Sequence, residues 1–353
     1  MTTSRQALEQ VLRKAGIKVT SIDPDKRIER ISTGSLSMDR ALGGGWACGL
    51  INSIAGPESY GKTTISLQGI HWFLEHDERG VAYCDFENDL DPVWAKRNGL
   101  DMDRVAVFQG YDDDQNRLGQ ETLLALVVHI IQSGIAGLVV VDSLAVMKPQ
   151  ETGEGKKGDP EYGRVLMGQR ARNFDDFFTV VSPLLKSKNV TLIVINQLRA
   201  SMNTHGDPNV EPGGQAKNFS YAISVRLTKP EEITADDVLT HHVFKGYTKK
   251  NKTAARGKTF EAFFGIHSTG RVYPDIIPEM CNLGKDFRLF TNSNGEKLVN
   301  GTWYYQGEPL KNGDSVVKSM ADAQRLLFDE PDFRAQIEQE IRKEIERENS
   351  YDF

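Results

Sequence analysis

Nine consecutive residues, Gly56-Pro-Glu-Ser-Tyr-Gly-Lys-Thr-Thr64, constrain this chain more than any other stretch. They fit the spacing G-x-x-x-x-G-K-[ST], follow the apolar run Leu50–Ala55 and open an amphipathic run, Thr63–Glu78. A strand that feeds a glycine-rich turn and then a helix aims backbone N–H groups and the positive end of a helix at one point, which makes an anion site. Gly56 and Gly61 permit the tight turn, Lys62 carries a positive charge to the outer phosphates of a nucleoside triphosphate, and Thr63 offers a hydroxyl to Mg²⁺. Pro57, Glu58, Ser59, Tyr60 and Thr64 complete the loop. A turn that merely happens to hold a lysine does not account for the strand before it and the helix after it.

The surrounding sequence repeats the same alternation. Val81–Phe86, Val105–Gln109, Leu138–Asp142 and Val190–Asn196 read as further strands, and Glu121–Ser133 and Gln169–Lys188 as helices between them. The runs VAYCDF, LVVVD and VTLIVIN are almost continuously apolar, the pattern of strands covered on both faces. The alternation predicts an α/β core with a mostly parallel central sheet and right-handed crossovers. Ala222–Thr228, His242–Thr248 and Thr259–Phe264 add strands with shorter, antiparallel or mixed connections. Residues 150–166 and 200–214 are rich in Gly, Pro and polar side chains, and each follows an apolar strand, at the end of the sheet where ligands bind.

Three units are expected: an N-terminal helix and linker (1–30), the core (31–269) and a small α+β C-terminal domain (270–353). Leu8, Val11, Leu12 and Ala15 form one narrow apolar stripe, suited to docking on the chain's own core or on a neighbouring subunit. Near the C-terminus Gly301–Tyr305 reads as a strand, and 314–328 and 332–347 as helices, the second with Phe333, Ile337, Ile341 and Ile345 on one face. The three cysteines are too far apart for a zinc knuckle or a disulfide framework, which points to a reducing compartment, the cytoplasm. Met1 to Arg13 lacks the apolar stretch of a secretory signal and no run of 18 or more apolar residues occurs, so neither a leader nor a membrane span is expected.

Leu138–Asp142 supplies the second element of a triphosphate site, since a buried strand that ends in Asp can hold a Mg²⁺-bound water. Four acids, Asp85, Glu87, Asp89 and Asp91, lie at or just past the end of the VAYC strand, and Glu87 is best placed to act on water beside a γ-phosphate. The net charge of −6 argues against a generally basic nucleic-acid coat, so any DNA contact must be local.

Taken in order, ISTGSLSMD (31–39), GPESYGKTT (56–64), LVVVDS (138–143), INQLR (195–199), Gly213-Gly214 and KNK (250–252) resemble the RecA family of DNA strand-exchange recombinases over about residues 5 to 347. GTWYYQGEPL and the two helices after it resemble the C-terminal domain of bacterial members. The resemblance implies a RecA-type P-loop ATPase that uses ATP and Mg²⁺, hydrolyses ATP in response to DNA, polymerises on single-stranded DNA as a helical filament, and exchanges strands with homologous double-stranded DNA. Single-strand-binding and loading proteins are the implied accessory partners.

By the same resemblance Glu87 activates the attacking water, Gln197 senses the γ-phosphate, and Asp91 and Trp94 meet the adenine. Trp94 could equally be a core residue. Lys250 and Lys252 would reach the ATP of the neighbouring subunit, as an arginine finger does, although a K-x-K turn is more often simply solvated. Residues 150–168 and 200–214 become the two DNA-binding loops. In the first, five basic side chains stand against two acidic ones between 156 and 172. Lys156, Lys157 and Arg164 lead to Met167, a base-wedging position, and Gly168, followed by Arg170 and Arg172. In the second loop Arg199, Gly213 and Gly214 match backbone-contacting positions.

The chain also departs from the family pattern. Tyr60 replaces a small residue in the phosphate loop, the first DNA loop is longer and the second about one residue shorter. His205 stands near an expected aromatic wedge, a small insertion follows Gly214, and the acidic tail is reduced to IERENSYDF. These differences suggest a divergent member, bacterial or phage-encoded. Two rival readings share parts of the pattern: a hexameric helicase motor, which would lack the C-terminal unit, and a non-catalytic single-stranded-DNA scaffold, which would not need every catalytic position filled.

Overall fold

The structure is a computed structural model that describes residues 4–16, 27–150, 160–200, 209–211 and 219–350. Helix α1 (Ser4–Lys14) leaves its apolar stripe uncovered, with Leu8 60% and Val11 63% exposed. Strands β1 (Arg30–Ile31) and β2 (Trp46–Ala47) pair on either side of α2 (Leu36–Leu42). The core then alternates: β3 (Ile51–Gly56), α3 (Lys62–His76), β4 (Gly80–Asp85), α4 (Pro92–Arg97), β5 (Val105–Gln109), α5 (Gln120–Ser133), β6 (Ala136–Asp142), α6 (Pro160–Lys188) and β7 (Thr191–Gln197). Next come a short pair, β8 (Arg199–Ala200) with β9 (Asn209–Val210), and the strands β10 (Ile223–Leu227), β11 (Glu231–Ala235), β12 (Val238–Asn251), β13 (Thr259–Ile266) and β14 (Val272–Pro274). Helices α7 (Ile276–Asp286), α8 (Met320–Asp329) and α9 (Pro331–Asn349) close the described chain.

One sheet of ten strands organises the core in the order β14-β13-β12-β10-β3-β7-β6-β4-β5, with β11 paired to β12. The six strands from β10 to β5 run parallel, while β12, β13 and β14 are antiparallel additions. Strand side chains alternate between faces, so each continuous apolar run feeds two cores. Tyr83, Leu138, Val140, Ile193 and Ile195 pack beneath α3, whereas Ala82, Cys84, Val139, Val141, Leu192 and Val194 pack beneath α5 and α6. A third cluster gathers Met280, Trp303, Leu326, Ile337, Ile341 and Ile345 around Leu36, which α2 of the core contributes.

The ISTGSLSMD segment joins the core to this last cluster. Ser35 caps α2 by accepting from Met38 N, and buried Asp39 accepts from Ser32 Oγ at 2.5 Å and Thr33 N at 2.8 Å. Glu279 of α7, also buried, accepts from Ser35 Oγ at 2.9 Å, Ser37 N at 2.7 Å and Phe263 N at 3.0 Å. Its pKa is pushed up to about 8 by burial, against the pull of these donors.

Several boundaries differ from the sequence expectation. Helix α6 begins at Pro160 rather than Gln169, so the backbone from 160 to 168 is helical and not loop; proline is well suited to a helix start. Helix α8 begins at Met320 rather than 314, because Ser319 and Asp322 form a reciprocal capping box there. The strand expected over 301–305 reduces to Tyr304–Tyr305. Strand β14, at 272–274, still belongs to the core sheet, and α2, β11 and α7 are additions to the expected elements. No helix of the described residues is long and apolar enough to cross a membrane.

Candidate active site

The phosphate loop leaves β3 at Gly56 and enters α3 at Lys62, at the carboxyl ends of the parallel strands. Gly61 adopts a left-handed conformation (φ 84°) as the residue before α3, and the ring of Phe244 lies where its Cβ would be, 2.3 Å from that point. Only glycine meets both conditions without strain. Gly56 is nearly as confined, since a Cβ there would meet Leu227 at 3.1 Å and Tyr60 at 3.5 Å. Tyr60 packs, half-buried, against the first core cluster, which explains how a bulky residue is accommodated within the loop. Glu58 and Ser59 are exposed, and Pro57 O accepts from Lys62 Nζ at 2.6 Å.

Asp142 ends β6 beside this loop. Its Oδ2 accepts from Thr63 Oγ1 at 2.9 Å and from Tyr83 OH at 2.7 Å. Burial pushes the Asp142 carboxyl up to about 6, the charges of Glu87 and Asp85 add to the rise, and the two hydroxyl donors oppose it. Burial likewise lowers the Lys62 pKa, while the negative charges of Asp142, Glu87 and Glu58 hold it up. Lys62, Thr63, Asp142 and Glu87 therefore form one electrostatically connected group.

The four acids at and after the end of β4 separate into distinct roles. Asp85 is buried and accepts from the backbone N–H groups of Asp89 and Leu90, which fixes the turn. Asp89 is exposed. Asp91 caps α4 by accepting from Val93 N at 2.8 Å, with Pro92 at the helix start. Glu87 is half-buried and accepts from Ser143 Oγ, the residue after Asp142. Trp94 is half-buried and packs on the first core cluster, so part of the ring is committed to packing.

Gln197, the last residue of β7, lies directly opposite Gly56 in the sheet, and Leu198 N donates to Gly56 O at 3.1 Å. The second candidate DNA segment thus departs from the strand adjacent to the phosphate loop. In the first, Gly168 and Arg172 are exposed on α6, whereas Arg170 donates to the carbonyls of Leu144 and Ala145 at 3.0 and 2.8 Å and so ties α6 to the chain just past β6. Lys156, Lys157, His205, Gly213 and Gly214 lie outside the described residues, as do the side chains of Arg164, Met167 and Arg199.

Lys250 and Lys252 are far from the phosphate loop of their own chain. Both donate to Phe219 O, at 3.0 and 2.8 Å. Lys250 pairs with Ser224 near the start of β10, level with Ser53 of β3, while the loop begins only after Gly56. Three to four residues of strand place the two ends about 10–13 Å apart along the strand direction alone. Burial and the neighbouring Lys252 bring the Lys250 pKa down to about 8.

Two participants escaped the sequence reading: Tyr83, which reads as an apolar strand residue, and Ser143, whose position directly after Asp142 was the available signal. A groove of about 1350 Å³ lies elsewhere, lined by Arg30, Asp39, Trp72, Lys252 and Arg342 and by no residue of the phosphate loop.

Residues 2–267 match the family model described as the RecA N-terminal domain. Protein RecA of Macrococcus caseolyticus (strain JCSC5402) is 30% identical over 359 residues, an alignment that covers 97% of this chain and 92% of that protein. Among solved structures, the crystal structure of the RadB recombinase aligns with a TM-score of 0.47 and 23% identity, over 68% of this chain and 97% of that one.

Proposed function

The chain belongs to the RecA family, as a RecA-type recombinase and DNA-dependent ATPase, and from that premise we propose how its residues divide the work. ATP lies on Gly56–Thr64, with Lys62 on its outer phosphates and its base near Asp91 and Trp94. Glu87 takes the proton of the attacking water, and Ser143 orients Glu87. Lys250 and Lys252 act on the ATP of the adjacent subunit. Gln197 carries the state of the γ-phosphate into residues 200–214, which bind DNA together with Met167, Gly168, Arg170 and Arg172 and with Arg199, Gly213 and Gly214.

The observation that carries this reading is the opposition of the two ends of the sheet: phosphate loop, Asp142 and Glu87 at the carboxyl ends of β3, β6 and β4, and Lys250 near the amino end of β10. A group at one end of a subunit can complete a site at the other end only by head-to-tail contact, which generates an open helical polymer when the rotation does not close.

Thr63 Oγ1 fits Mg²⁺ and Asp142 Oδ2 fits a Mg²⁺-bound water; the cation takes hard oxygen ligands and binds mainly through one or two protein groups and the substrate's phosphates. Among the described residues no cluster of three acidic, imidazole or thiol side chains offers a metal a cage of its own, in keeping with that mode. When bound with ATP, Mg²⁺ neutralises charge on the phosphate oxygens.

ATP turnover with and without single-stranded DNA, together with electron microscopy of the complex with a slowly hydrolysed ATP analogue, tests the assignment. DNA-stimulated turnover abolished by Glu87→Gln, with long helical filaments, is the expected result. Closed rings, or turnover indifferent to DNA and to Glu87→Gln, would refute it.

A further inference from the structure

Strands β4 and β6 run side by side with Tyr83 opposite Val140 and Asp85 opposite Asp142. In a parallel pair, residues two apart share a face, so Tyr83 and Asp142 both look toward α3. Two residues of strand span about 6.6 Å, close to the reach of a tyrosine side chain, and the phenol ends at Asp142. The ring of Tyr83 is wholly buried, with Val81, Val140 and Ile65 in the same core cluster. Its hydroxyl donates to Asp142 Oδ2 at 2.7 Å, the same oxygen that accepts from Thr63 Oγ1 at 2.9 Å.

A hydroxyl carries one proton, so by donating it to Asp142, Thr63 turns its oxygen lone pairs outward. The direction of those lone pairs is set by where Oδ2 stands, and Oδ2 is held from below by the phenol of a fully buried side chain. We propose that Tyr83 is a positioning residue for the Mg²⁺ site: its hydroxyl fixes the Asp142 carboxylate, and through it the orientation in which Thr63 meets the cation. This rests on the assignment of Thr63 and Asp142 to Mg²⁺. Hydrogen bonds to a charged carboxylate are among the stronger ones, and the loss of such an outer partner of a metal ligand lowers metal affinity by about ten-fold or more.

The test uses the full-length protein without DNA, so that turnover plays no part. Binding of a fluorescent ADP analogue is followed while Mg²⁺ is titrated, and again in EDTA. Tyr83→Phe keeps the ring and removes only the hydroxyl. The expected result is a rise of about ten-fold in the Mg²⁺ concentration for half-saturation, with nucleotide affinity in EDTA unchanged within about two-fold. On an Asp142→Asn background the same substitution adds nothing further. An unchanged Mg²⁺ requirement, equal losses with and without metal, a second ten-fold loss on the Asp142→Asn background, or a variant that fails to fold would each overturn the inference. If Asp142→Asn itself leaves the Mg²⁺ requirement untouched, the metal assignment falls and Tyr83 with it. If Asp142→Asn raises the requirement and Tyr83→Phe does not, only the role of Tyr83 is lost.

Discussion

Two variants that are each inactive should restore one another when mixed, if the lysines serve a neighbour. Lys250 is level with Ser53 across β10 and β3, and its own phosphate loop starts beyond Gly56 at the other end of the strand. A separation of about 10–13 Å along the strand, with β10 lying between, is more than a lysine side chain spans within one chain. Glu87→Gln keeps the phosphate loop and the lysines but lacks the base. The double variant Lys250→Ala/Lys252→Ala keeps the base but lacks the lysines. In a 1:1 mixture that assembles at random, an interface is complete when the double variant supplies the ATP-binding side and Glu87→Gln supplies the lysines. Each condition holds for half of the interfaces, so about a quarter of the parent turnover per subunit is expected in a head-to-tail polymer. The assay is DNA-stimulated phosphate release across mixing ratios, with a maximum at equal amounts and almost nothing at either end. A flat line near zero at all ratios would refute action across the interface.

Other substitutions probe separate parts of the same scheme. Arg172→Ala, at an exposed site on α6, should weaken single-stranded DNA binding and reduce the slope of log affinity against log salt by about 0.7, the value for one lost phosphate contact; an unchanged slope in fluorescence anisotropy would remove Arg172 from the interface. Gly61→Ala should cost roughly 2–4 kcal/mol, from the left-handed backbone and from the Phe244 ring 2.3 Å from the added methyl, measurable by urea denaturation; a loss below about 0.5 kcal/mol would contradict the geometry. Glu279 has a folded pKa of about 8, above its ordinary 4.5, so the folded chain keeps a proton that the unfolded chain has released. Its contribution is therefore fully present below 4.5, declines by about 1.4 kcal/mol per pH unit and is lost as pH rises through 8. Glu279→Gln should flatten the stability–pH curve between pH 6 and 8 relative to the parent, and an unaltered slope would show that Glu279 does not titrate there.

What was legible in the sequence is what lies in consecutive residues. The phosphate loop carries its strand, turn and helix in one segment, and LVVVD carries a buried strand with its terminal acid, so both were readable without tertiary contacts. The start of α6 was misplaced because Gly-rich, charged sequence before it masked the proline that opens it. Helix α2 has only seven residues between Ser35 and Gly43, and α7 is marked locally by its cap Asp275, by Glu279 in its first turn and by Lys285 in its last. Asp91 shows the converse error of emphasis: an acid before a proline is a helix start, and it does cap α4, whatever else it touches. The roles proposed for Tyr83 and Lys250 depend on register, which no segment carries by itself. A tyrosine inside VAYCDF reads as core until β6 is set beside β4 and brings Asp142 within reach of its hydroxyl. A K-x-K turn reads as solvated until β12 is found antiparallel to β10, which puts it at the end of the sheet away from its own nucleotide loop. The direction of one added strand thus decides whether those lysines can serve their own subunit or only the next.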